Sequence, residues 1–373
     1  MDGRSVEGGG LKDESAKGGG APSASDPPAP APDAREAEAM ARDIRGGDRR
    51  ALARAITRLE STRDDDRALG QAVLETLIAD SGDAIRVGIT GPPGVGKSTF
   101  IEALGLHLID EGLRVAVLAV DPSSPVTGGS ILGDKTRMER LSARPEAFIR
   151  PSPSSGSLGG VANRTREVML LCEAAGYDVV LVETVGIGQS EVAVASMVDF
   201  FLVLLLPAGG DELQGIKKGV VELADALVVN KADGAMASVA ERTCVDYRGA
   251  LELIRPDADA WKPRAMVASA LESKGIDEIW RTIREHHDQM KASGRFEARR
   301  REQARAWLRK LLEEGVERAF REEPGMAEAL AREEAAVAAQ KTTPAAAART
   351  LLRAFVEAMR SERREPADRA SDD

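Results

Sequence analysis

The sequence predicts an α/β fold, with a largely parallel sheet flanked by helices. Three observations carry that expectation. Short β-branched runs recur between residues 85 and 280; amphipathic segments of helical length separate them; and one Gly-rich turn links the first run to the first of those helices. Strands that read as continuous apolar stretches, without polar alternation, belong to sheets covered on both faces.

Seven such runs follow in order: IRVGIT, RVAVLAVD, AFIRPS, DVVLVETVG, DFFLVLLL, DALVVNKAD and RAMVASA. Before them, residues 1 to 34 are Gly, Pro, Ala, Ser and charge, a composition that buries too little apolar surface to offset its ordering entropy, so a disordered tail is expected. From Asp33 to about Asp80, Ile44, Leu52, Ile56 and Leu59, then Leu69, Val73 and Leu77, recur at helical spacing around the charged STRDDDR stretch, which predicts a helical hairpin over 35–84. After Gly294 the composition turns to Arg, Glu and Ala. Trp307, Leu308, Leu311, Leu312 and Phe320 form one helical stripe, and Leu351, Leu352, Phe355, Val356 and Met359 a second, with a turn at EEPG. The expected organisation is therefore a tail, a helical segment, an α/β domain over 85–290 and a C-terminal helical arm over 291–373 with a disordered end. Two apolar stripes beyond a complete domain need somewhere to be buried, and a homodimer held by the arm is the expected answer.

Composition excludes several classes. With 61 acidic against 51 basic residues, a net charge of −10 and 3% aromatics, the chain suits neither phosphate neutralisation nor base stacking along a nucleic acid. Cys172 and Cys244 lie far apart, and no Cys/His cluster surrounds His107, His286 or His287, so neither a disulfide framework nor a zinc site is indicated. The apolar stretch from Val192 to Leu206 is shorter than the roughly 20 residues of a spanning helix and contains Asp199, so it reads as buried core. The opening MDGRSVEGGG has no apolar h-region, and a cytoplasmic location is expected, with no membrane partner.

Gly91-Pro92-Pro93-Gly94-Val95-Gly96-Lys97-Ser98-Thr99 fits GxxxxGK[ST] and lies between a predicted strand and a predicted helix, the context this phosphate-binding loop requires. Its glycines let backbone N–H groups turn inward around phosphates, Lys97 reaches the β and γ oxygens, and Ser98 can coordinate Mg2+. Asn230-Lys231-Ala232-Asp233 follows a later strand. The Asp233 carboxylate can accept from N1–H and the 2-amino group of guanine, where adenine offers no donor; Lys231 can lay its stem on the base, and Asn230 can tether loops. Ser269-Ala270-Leu271, after the next strand, is expected to supply a backbone N–H to guanine O6. Glu183 and Gly186 end a strand where such enzymes sense metal and γ-phosphate, with Glu in place of the usual Asp; Asp121 and Asp134 add carboxylates on loops of the preceding strand. GTP and GDP, with Mg2+, are the expected ligands. No side chain stands out as general base, Asp121 acting through water being the first choice.

At these motifs the chain resembles the methylmalonyl-CoA mutase-associated GTPases of the MeaB, ArgK and MMAA type, formerly labelled LAO/AO transport ATPases. GPPGVGKST, AVDPSSP, GDKTRM, FIRPSPSSGSLGG, ETVGIGQSE, AGGDELQGIKKG and NKAD occur in that family's order. The resemblance implies the SIMIBI class of P-loop GTPases. It further implies that Ser98, Asp121, Asp134 and Glu183 are direct or water-linked Mg2+ ligands, and that Lys217 is the key residue of a third switch over Gly209 to Lys218. It also implies a partner: an adenosylcobalamin-dependent acyl-CoA mutase, protected and gated in its cofactor loading and release. Other readings remain at this point. A nickel-insertion GTPase would need a His-rich tail or paired Cys/His ligands; a kinase of a transport-binding protein would need an acceptor site with its own base; and a non-enzymatic scaffold would show no turnover.

Overall fold

The computed structural model describes residues 32–120, 138–151, 158–184, 190–207, 218–254 and 261–362. All seven predicted strands are present: β1 (Ile85–Thr90), β2 (Val115–Val120), β3 (Ala147–Arg150), β4 (Val179–Thr184), β5 (Phe200–Leu205), β6 (Ala226–Val229) and β7 (Arg264–Val267). They form one parallel sheet in the order β3-β2-β4-β1-β5-β6-β7.

The alternation along β5 shows why these strands read as unbroken apolar runs. Phe200, Leu202 and Leu204 enter one hydrophobic cluster and Phe201, Val203 and Leu205 the other, so every side chain of the strand is buried on one face or the other. Helices α4 (Lys97–Asp110) and α10 (Ile276–Ala292), with the single turn α5 (Glu139–Ser142), cover one face. On the opposite face lie α6 (Leu158–Ala174), α7 (Ser190–Ala195), α8 (Lys218–Leu223) and α9 (Ala237–Ile254). The expectation of buried core for Val192 to Leu206 holds from Met197 to Leu205, while Val192 on α7 is 54% exposed because the outer side of that short helix faces away from the sheet; Asp199 is buried with partners.

The N-terminal segment departs from the expected hairpin: it holds three helices, α1 (Pro32–Arg45), α2 (Arg49–Glu60) and α3 (Asp64–Leu77). The break falls at Gly46-Gly47-Asp48. Gly47 takes a φ of +81°, and the Asp48 carboxylate accepts from the N–H groups of Arg50 and Ala51, at 2.7 and 3.2 Å, capping α2. Helix α1 already starts at Pro32, inside the segment expected to be a tail; residues 1–31 lie outside the described residues.

The C-terminal arm also holds one helix more than two stripes predict: α11 (Arg295–Glu322), α12 (Met326–Ala338) and α13 (Pro344–Glu362). Met326, Ala329 and Leu351 form a small separate core with Phe320 and Phe355. The first half of α11 belongs physically to the sheet domain. The Arg300 guanidinium donates to both Asp199 carboxylate oxygens at 2.9 and 2.6 Å and to the Ala84 carbonyl at 2.6 Å, and Gln303 donates to the Val198 carbonyl at 2.9 Å.

Candidate functional site

The central strand β1 lies between β4 and β5, while the chain leaving it crosses to β2, so the strand order reverses beside it. In parallel α/β sheets that reversal opens a crevice at the carboxyl ends of the strands, where ligands bind. The Gly91 to Gly96 turn stands at that point, between β1 and α4, whose first residues are Lys97 and Ser98.

The loop's glycines are required by its backbone. Gly91 has a φ of +151° and its Cβ would meet the Leu204 carbonyl oxygen at 2.5 Å; Gly96, at +94°, faces the Asn230 carboxamide. Val95 is buried and anchors the loop, while Pro93, Gly94 and Thr99 are exposed. The Lys97 ammonium donates to the carbonyls of Gly91 and Pro92 at 2.9 and 3.3 Å. Burial pushes this group below the usual lysine range, and the carboxylates of Glu183 and Glu191 act in the opposite sense. Ser98 Oγ donates to Glu183 Oε1 at 3.2 Å, bringing two of the expected metal ligands together. Both are hard oxygen donors, one in the first turn of α4 and the other at the end of β4, a pair that suits Mg2+. Asp121, Asp134, Gly186 and Lys217 lie outside the described residues. Among the described residues no group of three His, Cys, Asp or Glu is placed to hold a metal.

The residues expected to read the base meet beside the Gly91–Gly96 loop. Asn230, 1% exposed, donates through Nδ2 to the Val95 carbonyl at 2.9 Å and accepts through Oδ1 from the Ala270 N–H at 3.1 Å. Asp233 accepts at Oδ2 from the hydroxyl of fully buried Ser269 at 2.8 Å. Ser269 is in turn fixed by an antiparallel bridge to Lys274. Lys231 is exposed, with a left-handed φ of +60°, and its Cε lies 3.8 Å from where a Gly96 Cβ would stand. A non-glycine residue in that region is strained, and such strain is concentrated at ligand sites. Leu271, next in sequence to Ala270, is 78% exposed. Of the trio expected to face guanine O6, the Ala270 N–H is engaged by Asn230.

Sequence reasoning missed Glu191. It is 4% exposed in the first turn of α7 and acts electrostatically on Lys97. Its place at the end of ETVGIGQSE was the available signal, but nothing in that string reports burial.

Comparison with known proteins identifies the family. The family model described as "Methylmalonyl Co-A mutase-associated GTPase MeaB" matches residues 52–325. A probable GTPase of Mycobacterium tuberculosis is 55% identical over 309 residues, covering 83% of this chain and 92% of that protein. The mouse protein named methylmalonic aciduria type A homolog, mitochondrial, is 48% identical over 319 residues, covering 83% and 77%. The crystal structure of an LAO/AO transport system kinase superposes with a TM-score of 0.70 at 41% identity, covering 87% of this chain and 98% of that one. The chain is a GTPase and belongs to the methylmalonyl-CoA mutase-associated GTPase family MeaB.

Proposed function

We propose that this GTPase uses Mg2+-dependent GTP hydrolysis to protect an adenosylcobalamin-dependent acyl-CoA mutase, methylmalonyl-CoA mutase first, and to gate the loading and release of its cofactor. The observation that carries the nucleotide half is the Asn230 carboxamide, which joins the phosphate loop at Val95 to the base loop at Ala270. A site assembled in this way presents phosphate donors and a guanine-reading carboxylate as one rigid unit. In this reading Gly91 to Thr99 wrap the phosphates, Asp233 takes the guanine N1–H and 2-amino donors, Lys231 covers the base, and the Leu271 N–H faces O6. Ser98 and Glu183, with Asp121 and Asp134, hold the metal; Gly186 senses the γ-phosphate. Mg2+, when bound, neutralises charge on the β and γ oxygens. Lys97 brings its ammonium from the Gly91 and Pro92 carbonyls to the same oxygens, and Asp121 orients the attacking water.

The mutase half rests on the family to which the chain belongs and on the mouse relative's name. Lys217, in the third switch, transmits the nucleotide state to the partner. Leu308 and Leu312 on α11, and Leu352, Val356 and Met359 on α13, are exposed apolar residues, and a second copy covers them in a homodimer. The protein works in the cytoplasm; among the described residues no helix is long and apolar enough to cross a membrane. Binding to purified methylmalonyl-CoA mutase, measured with and without a non-hydrolysable GTP analogue, tests this function. Nucleotide-dependent binding supports it, and preference for ethylmalonyl- or isobutyryl-CoA mutase would reassign the partner.

A further inference from the structure

Thr90 and Thr184 are the last residues of β1 and β4, and each is 1% exposed. The Thr184 hydroxyl donates to the Thr90 hydroxyl at 2.7 Å. Among the described residues these are the only buried polar side chains inside the seven strands; the other fully buried strand positions are apolar or glycine. Valine has nearly the same volume and branching and would continue the apolar pattern, so the hydroxyls need a reason beyond filling space.

Their position supplies one. Thr90 precedes Gly91, the first residue of the phosphate loop, and Thr184 follows Glu183. In the sheet, Glu183 pairs with Ile89 and Thr184 with Val120, the residue before Asp121. The pair therefore sits where the strands release three loops of the site. Glu183 and Thr184 leave β4 on opposite faces, so a hydrogen bond made by Thr184 on one face sets the height of the Glu183 carboxylate on the other.

We propose that the Thr90–Thr184 hydroxyl pair is a positioning device for GTP hydrolysis: it fixes Glu183 relative to the phosphate loop, so that Ser98 and Glu183 meet the metal at one separation. This rests on the reading of Ser98 and Glu183 as metal ligands. A methyl group cannot approach an oxygen to 2.7 Å, since C···O contacts settle at about 3.3–3.6 Å. Thr184→Val therefore pushes the end of β4 away from β1 by several tenths of an ångström, a displacement that reaches Glu183 directly.

The test combines turnover with calorimetric titration of the β,γ-imido analogue of GTP, with and without Mg2+. Thr184→Val and Thr184→Ala should bind the analogue without metal as the wild type does, lose most of the affinity gained on adding Mg2+, and turn over about tenfold more slowly at saturating GTP. Thr184→Ser, which keeps the hydroxyl, should recover both properties. Wild-type kcat and metal-dependent gain in the Val and Ala variants would overturn the proposal. So would impairment of Val alone, which indicates crowding, or a Ser variant as impaired as Val. Glu183→Gln run in parallel separates the two readings. If it keeps the full gain with Mg2+, the metal assignment fails; if it loses the gain while Thr184→Ala does not, only the hydroxyl device fails.

Discussion

The Asn230 carboxamide and the Val95 carbonyl meet at 2.9 Å across 135 residues of sequence, and this contact makes one site out of two motifs. Asn230 is buried, so the groups it satisfies have no water to turn to if it is removed. Asn230→Ala should weaken GTP and GDP binding about tenfold or more, with the loss shared between base and phosphate contacts. Titration calorimetry with GDP and with guanosine distinguishes a joint loss from a local one.

Selectivity for guanine should reside in Asp233. With adenine its carboxylate would face no donor, a mismatch that reaches factors of about 10⁴ in sites built on such pairing. Asp233→Asn should narrow the GTP to ATP preference, and equal affinity of the wild type for both nucleotides would refute the base-reading assignment.

Turnover should fall steeply in Lys97→Ala and Glu183→Gln and should stop on chelation of Mg2+. Positioning and charge neutralisation carry most of phosphoryl-transfer catalysis, and loss of one such group costs about 10²–10³ in kcat. Phosphate release, followed with and without chelator, gives the answer.

Arg300 binds Asp199 through two hydrogen bonds in a site where both side chains are largely buried. Arg300→Ala would leave that carboxylate uncompensated, and breaking one partner of a buried pair costs about 3–5 kcal/mol. Urea unfolding should show this loss. The same contact means that a chain cut at Gly294 loses core stability as well as the arm, so truncation there is a poor test of dimerisation.

Point changes on the outer face of α11 avoid that difficulty. Leu308 and Leu312 are 67% and 65% exposed, so Leu308→Glu with Leu312→Glu should leave the fold intact and dissociate the proposed homodimer. Analytical ultracentrifugation showing an unchanged dimer would place the interface elsewhere.

Lys217→Ala should keep the basal GTPase rate and lose most of the stimulation by the mutase. A variant stimulated as strongly as the wild type would show that this lysine does not carry the signal.

What the sequence determined by itself was local. The seven strands were legible because a doubly covered sheet demands unbroken runs such as FFLVLL, and the phosphate loop because its backbone angles demand glycine at 91, 94 and 96. NKAD was legible because its chemistry is written in consecutive residues. The break at Gly46-Gly47-Asp48 and the helix at Met326–Ala338 escaped, since short helices packed on neighbours take their stability from those contacts more than from their own periodicity. Only the tertiary structure decided the strand order, the burial of Glu191, the Thr90–Thr184 pair and the seating of Arg300 against Ala84, 216 residues away. These depend on which surfaces meet when the elements pack, and periodicity and residue preference describe each element only along its own length.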